Sequence, residues 1–170
     1  MNGDTLPHPD LGQSIEIMRR AHEGQLDKSG RPYYLHPLRV AMRLIHCTPE
    51  ERHAALLHDV VEDTPLTLAD LRALGYSDEV LDLVDILTRR MPAGESHREY
   101  LERIVASGNA KALRVKLADV LDNSSPARSR ALPPEHQGMK HRFAKDLQRI
   151  AEALREMGDV MSGLIVRGDL

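Results

Sequence analysis

The chain is poor in the residues that staple, stack and span. Its 170 residues hold a single cysteine, Cys47, which leaves no internal disulfide and no Cys-rich metal motif. We read Cys47 as a structural thiol suited to a reducing, cytoplasmic setting. Tryptophan is absent, and the aromatics amount to four Tyr and one Phe, too few for a platform on which single-stranded nucleic acid stacks. Basic residues do not predominate: 23 Lys and Arg face 26 Asp and Glu, a formal charge of −3. A binder of long nucleic acid is normally basic, so that class is disfavoured, whereas a small anion needs only a local cluster of donors. No apolar run approaches the roughly 20 residues of a membrane span. The start, MNGDTLPHPD, is polar and broken by proline, unlike a secretory signal. No stretch alternates in the manner of a strand rich in Val, Ile and Thr.

What is present is helical period with capping signals. Asp10 caps a first helix of about 11–24, whose apolar face carries Leu11, Ile15, Met18 and Ala21. Gly30 and Pro32 punctuate a loop over 25–34, and Pro37 suits the first position of a second helix. Thr48, Pro49 and Glu51 form a complete start signal for a helix running through AALLHDVV to Thr64-Pro65. Thr67 and Ser77 cap two more helices with Gly75 between them, and Ser96 with Glu99 caps another that ends at Gly108. Asn109 opens a helix carrying Leu113, Leu117 and Leu121. The stretch 122–134 reads as a mobile loop rich in Ser, Pro and Arg. A last helix of about 134–157 presents Met139, Phe143, Leu147, Ile150, Leu154 and Met157, with a tail at 159–170. The expectation is an all-α protein, a compact bundle of about eight helices forming one domain over residues 1–170.

Two of these helices interrupt their own apolar character. His58 and Asp59 sit in AALLHDVV, and burying adjacent polar groups there is costly without compensation. A helix-end hydrogen bond is the ordinary compensation and a divalent cation the functional one. Glu62 lies four residues after His58, about 40° around a helix, and Asp63 follows it. Asp119 interrupts VKLADVLDN in the same way, with Asn123 four residues on. His36 stands at a loop end, immediately before a helix. Three separated segments thus offer His, His-Asp and Asp, the imidazole and carboxylate donors that Mn²⁺, Fe²⁺, Co²⁺ or Zn²⁺ accept. Such an ion lowers the pKa of water and polarises phosphoryl oxygens, while a neighbouring carboxylate handles protons. The other histidines, His8, His22, His46, His53, His97, His136 and His141, read as surface or packing residues.

These pieces resemble the HD superfamily, whose H…HD…D signature binds a divalent metal. More narrowly, they are similar to the hydrolase domain of RelA/SpoT-type alarmone enzymes and to small alarmone hydrolases. The likeness covers about residues 11–125 and rests on AHEGQLDKSGRPYYLHPLRVA (21–41), AALLHDVVEDT (54–64), LDLVDILTRR and RVKLADVLDN (114–123). It implies an HD-domain fold, metal ligands at His36, His58, Asp59 and Asp119, and catalytic groups at Glu62, Asp63 and Asn123. It also implies one Mn²⁺ ion and removal of the 3′-pyrophosphate of guanosine tetra- or pentaphosphate.

The departures cluster at the nucleotide-recognising end. Where the family has an Arg-Lys pair before Ser-Gly, this chain has Asp27-Lys28, and where the family reads close to ADRLHNMR, residues 118–125 read ADVLDNSS. Lys28 and Lys116 are candidate phosphate contacts, and Asp27 a group that repels phosphate or accepts hydrogen bonds from a base. Tyr33 and Tyr34 read as packing. The expected protein is a stand-alone phosphohydrolase of a small phosphorylated nucleotide, since 170 residues leave no room for a synthetase domain. Two alternatives stay open: a hydrolase of another phosphorylated small molecule, and a non-catalytic HD module that binds a nucleotide to regulate a partner. No pattern here encodes an oligomeric state.

Overall fold

The computed structural model describes residues 9–131 and 138–159. Among these residues there are ten α-helices: α1 (Leu11–Ala21), α2 (Leu35–Arg43), α3 (Pro49–Leu57), α4 (Val60–Asp63), α5 (Leu68–Ala73), α6 (Asp78–Leu87), α7 (His97–Ala106), α8 (Ala110–Asn123), α9 (Pro126–Ala131) and α10 (Met139–Glu156). A 3₁₀ turn at Met91–Ala93 precedes α7. The nearest approach to a sheet among the described residues is an isolated bridge between Leu26 and Pro32. No described helix is long and apolar enough to cross a membrane.

The start signals act as the sequence suggests. Asp10, Thr48, Thr67 and Ser96 each close a reciprocal capping box, and Ser77 and Asn109 cap α6 and α8. Each satisfies amide donors that a helix start otherwise leaves unpaired. Gly75, Gly108 and Gly158 stop their helices at positive φ, where a side chain would be strained.

Four expectations need correction. The first helix ends at Ala21 rather than near 24. The second begins at Leu35, which puts His36 inside its first turn rather than at a loop end. The His36 amide bonds to the Tyr33 carbonyl (2.8 Å), and Pro37 is tolerated because first-turn amides have no helical partner. The helix through AALLHDVV is interrupted at His58-Asp59, dividing α3 from α4. The expected loop 122–134 is partly helical: α8 runs through Asn123 and α9 follows at Pro126. Residues 132–134, with the expected helix start at 134, and nearly all of the tail lie outside the described residues.

The core is organised by α3 and α8. Ala54, Ala55, Leu56 and Leu57 are buried in α3, and α8 buries residues nearly all around its circumference, the pattern of a helix enclosed by others. α1, α2, α6 and α8 pack on α3, while α2, α6, α7, α9 and α10 also pack on α8. Glu51, fully buried, ties the two together: its Oε2 accepts the Thr48 amide (2.9 Å) and its Oε1 accepts Arg114 Nε from α8 (2.7 Å). Removing the hydroxyl in Thr48→Ala should lower unfolding free energy by about 1 kcal/mol. Arg114→Met, which strands the buried Glu51 carboxylate, should cost about 3 kcal/mol. Urea titrations with unchanged slope would establish both, and an Arg114 variant as stable as the parent would show that the pair contributes nothing.

Candidate metal centre

The chemistry-bearing helices α2, α3 and α8 pack against one another in all three pairings. That packing brings together His36 of α2, His58-Asp59 at the end of α3 and Asp119 of α8, and His36, Asp59 and Asp119 line one side of a cavity of about 380 Å³. The interruption after Leu57 matters here. Consecutive residues on an unbroken helix project about 100° apart, yet His58 Nε2 and Asp59 Oδ2 lie 3.0 Å from each other.

Both imidazoles are oriented from behind. His36 Nδ1 lies 2.8 Å from Asp122 Oδ2 and His58 Nδ1 lies 2.8 Å from the Ala55 carbonyl. Those partners only accept, so each Nδ1 carries the proton and each Nε2 of a neutral ring presents a lone pair. The Nε2 atoms nevertheless face carboxylate oxygens. His36 Nε2 is 3.1 Å from Asp119 Oδ1 and 3.7 Å from Asp59 Oδ2, and His58 Nε2 is 3.9 Å from Asp119 Oδ1. Buried His58 Nε2 has no hydrogen-bond partner among the described residues. Acceptors facing acceptors require a cation between them, either protons on the imidazoles or a metal ion.

The spacing suits a metal. Bonds of about 2.0–2.2 Å place neighbouring ligand atoms roughly 3.0–3.5 Å apart, close to the distances found. His36, His58 and Asp119 each offer one ligand atom within 4.8 Å of the others. Asp59 stands outside that threefold group but beside both imidazoles. Without an ion, burial disfavours the charged imidazole of His58, but the Asp59 carboxylate outweighs it and holds the pKa up at about 9. His36 is likewise raised against its burial, by Asp119 and Asp122. Binding a cation therefore displaces protons.

The carboxylates are oriented in turn. Lys116 Nζ donates to Asp119 Oδ2 (2.7 Å) and Asn123 Nδ2 to Asp119 Oδ1 (2.6 Å), while the Tyr33 hydroxyl donates to Asp59 Oδ2 (2.7 Å). Glu62 and Asp63 line the same cavity. Burial pushes the Glu62 carboxyl above its ordinary range, helped by Asp59 and Asp63 and opposed by the Arg89 amide that donates to Oε2 (2.9 Å). Burial likewise raises Asp63, again reinforced by Asp59. Arg103 pins the segment that carries the Arg89 amide, donating to the Ile86 and Thr88 carbonyls (3.0 and 2.9 Å) and to Glu95 Oε1 (2.7 Å).

The candidate substrate contacts separate. Lys28 is exposed on the cavity wall, its ammonium 3.5 Å from Met139 Sδ. Lys116 is buried, pairs with Asp119 and lies 4.8 Å from the centre of the Tyr100 ring. Asp27 Oδ1 accepts the Ser29 amide and hydroxyl (2.8 and 2.6 Å) and the Arg31 amide (3.1 Å), capping its own turn. Two residues had escaped notice in the sequence. Tyr33, read as packing, holds Asp59, and Asp122, unassigned, is fully buried behind His36 with Arg39 Nε at 2.8 Å and Arg128 Nη1 at 3.1 Å. The available signal for Asp122 was a second acidic interruption of the α8 apolar face.

The profile of the HD domain family matches residues 14–150. The chain belongs to that family. Among relatives of this HD domain is a guanosine-3′,5′-bis(diphosphate) 3′-pyrophosphohydrolase of Vibrio cholerae, 34% identical over 82% of this chain and 20% of that protein. The bifunctional (p)ppGpp synthase/hydrolase SpoT of Escherichia coli is 31% identical over 87% of this chain and 23% of that protein. The chain thus spans about a fifth of the length of the curated relatives it matches. Among solved structures, a metazoan SpoT ortholog that hydrolyses ppGpp shares the fold with a TM-score of 0.66 at 23% identity, covering 91% of this chain and 99% of its own. A Listeria monocytogenes protein aligns at 27% identity with a TM-score of 0.55, covering 76% and 97%.

Protein purified without chelator should carry one divalent transition ion per chain, and Asp59→Ala should lose it. Asp122→Asn, which weakens the orientation of His36, should lower metal affinity about 10- to 100-fold. Elemental analysis and chelator competition measure both. A parent protein that stays metal-free in excess Mn²⁺ would disprove the site.

Proposed function

We propose that this HD domain is a metal-dependent phosphohydrolase that removes a phosphate or the 3′-pyrophosphate from a nucleotide of the guanosine 3′,5′-bis(diphosphate) kind. The observation that carries the reading is the pair of oriented imidazole lone pairs converging with the Asp59 and Asp119 carboxylates, beside a carboxyl of raised pKa at the edge of one cavity. The names of the relatives point to the same substrate class. In this reading His36, His58, Asp59 and Asp119 hold one ion, with Mn²⁺ our choice from the family resemblance and the mixed nitrogen and oxygen donors. When bound, that ion supplies an acidified water and a Lewis acid for a phosphoryl oxygen.

The remaining work falls to the chain. Lys116 and Asn123 fix the two oxygens of Asp119, and Tyr33 fixes Asp59, so the donors need little reorganisation. Glu62, aimed by the Arg89 amide, takes the proton from the attacking water at Oε1, the oxygen left free by that amide. Its raised pKa brings its basicity nearer to the operating pH. Asp63, beside it, orients the same water. Lys28 faces the phosphates, whereas Lys116 acts through Asp119. The lone thiol Cys47, half-buried, agrees with a cytoplasmic setting.

Glu62→Gln should retain metal and thermal stability while lowering turnover about 100-fold or more, as expected on losing a proton-transfer group. The acid limb of the parent's rate profile, where falling pH protonates Glu62, should vanish in the variant. Pyrophosphate and phosphate release from guanosine tetraphosphate and simpler nucleotides in Mn²⁺ provides the assay. Failure of the metal-loaded parent to hydrolyse any of them would refute the proposal, and unchanged turnover in Glu62→Gln would refute the role of that residue.

A further inference from the structure

The two histidines of the cage are supported by unlike means. His58 Nδ1 bonds to the Ala55 carbonyl of its own helix (2.8 Å), a backbone group that cannot swing away. His36 Nδ1 bonds instead to a side chain of another helix, Asp122 Oδ2 (2.8 Å). The aim of His36 is therefore only as firm as the hold on the Asp122 carboxylate, which is fully buried. Three guanidinium groups surround that carboxylate. Arg43 Nη2 lies 3.6 Å from Oδ1, beyond hydrogen-bond reach, and Arg128 Nη1 meets Oδ2 alone (3.1 Å). Arg39 meets both oxygens, Nε on Oδ1 at 2.8 Å and Nη2 on Oδ2 at 3.1 Å. A planar fork on two oxygens fixes a carboxylate against rotation, which a contact to one oxygen does not.

The placement of these residues is regular. His36 and Arg39 are three residues apart on α2, as Asp119 and Asp122 are on α8, and residues at that spacing share a helix face. The two faces meet in two layers. His36 Nε2 faces Asp119 Oδ1 (3.1 Å) in the layer of the cage, and Arg39 grips Asp122 in the layer behind it. The His36 ring joins the layers through its two nitrogens.

We propose that Arg39 is a positioning residue for the metal centre: its fork on Asp122 sets the direction of the His36 lone pair and the register of α2 against α8 at the cage. The inference rests on the reading of His36 as a metal ligand and is independent of the substrate. Charge alone predicts the opposite sign. A guanidinium this close to the cage repels a divalent ion, so its removal would tighten binding, whereas loss of the fork loosens it.

The test measures Mn²⁺ affinity of the full chain by chelator competition, and donor geometry by the visible absorption of the Co²⁺-loaded protein. Arg39→Lys keeps the charge and loses the fork. It should weaken Mn²⁺ binding roughly tenfold, the lower end of the effect of losing an outer partner of a metal-bound histidine, and alter the Co²⁺ bands. Arg39→Gln should weaken binding too, although it removes a positive charge. Because the effect passes through Asp122, Arg39→Lys combined with Asp122→Asn should bind Mn²⁺ within about twofold of Asp122→Asn alone. Arg128→Gln, which leaves the fork in place, should not weaken binding, and it carries the test if the Arg39 variants fail to fold. A purely structural Arg39 would lower the melting temperature of the metal-free protein and leave Mn²⁺ affinity and the Co²⁺ bands at their parent values. That result overturns the proposal. So do tighter binding by Arg39→Gln with Arg39→Lys unchanged, losses that multiply in the double variant, and a tenfold loss in Arg128→Gln. A parent that binds no Mn²⁺ overturns the metal centre and this proposal together, whereas a parent that binds Mn²⁺ but hydrolyses no nucleotide defeats the phosphohydrolase reading alone.

Discussion

The arrangement depends on a conflict of like with like. Two imidazole nitrogens, each a bare lone pair in the neutral ring whose one proton is held on the far side, are packed against carboxylate oxygens in a largely enclosed pocket. Water cannot relieve the conflict, and the low polarity of the interior magnifies it. A cation resolves it. The supporting contacts make sense as devices that keep the donors aimed: Asp122 and the Ala55 carbonyl behind the histidines, and Lys116, Asn123 and Tyr33 on the carboxylates. Each spends hydrogen-bonding capacity on orientation, which is the condition for strong discrimination among ions and fast chemistry.

The same conflict explains why the fold is built around α3 and α8. Groups this awkward to bury have to be delivered by elements with no freedom of their own. Asp119 comes from a helix that buries residues on nearly every side, and Glu51 with Arg114 locks the two central helices in register. The acidic clusters of the site are thus offset by packing elsewhere, not by local contacts alone.

Much of this was legible in the residues because capping and helix termination are local. Thr48 with Glu51 and Ser96 with Glu99 signal a helix start through contacts three residues apart, and Gly108 or Gly158 a stop through its own backbone freedom. The polar interruptions at His58-Asp59 and Asp119 were equally visible, since an apolar helix makes a charged residue conspicuous. Other features depend on partners distant in sequence. Whether Lys116 meets solvent or Asp119 depends on how α8 is covered by α7 and α10. Nothing near Tyr33 announces that its hydroxyl reaches a carboxylate 26 residues away. The interruption between α3 and α4 was hidden because the residues on both sides favour a helix. The helix α9 escaped because its Pro, Ser and Arg composition reads as a turn.

The support behind Glu62 differs in kind from that behind the ion. The metal donors hang on the centre of the bundle, but the amide that aims Glu62 belongs to a short connecting segment held by polar contacts: Arg103 reaching back from α7, the Tyr100 hydroxyl on the Leu87 carbonyl, and the Glu95 carboxylate on the Arg90 amide. Two thermal histories are therefore built into one cavity. On heating, a segment held by a few polar contacts loosens before a helix core does. In the proposed reading, Glu62 then loses its aim while the cage for the cation is still intact, so turnover and metal retention part company at different temperatures.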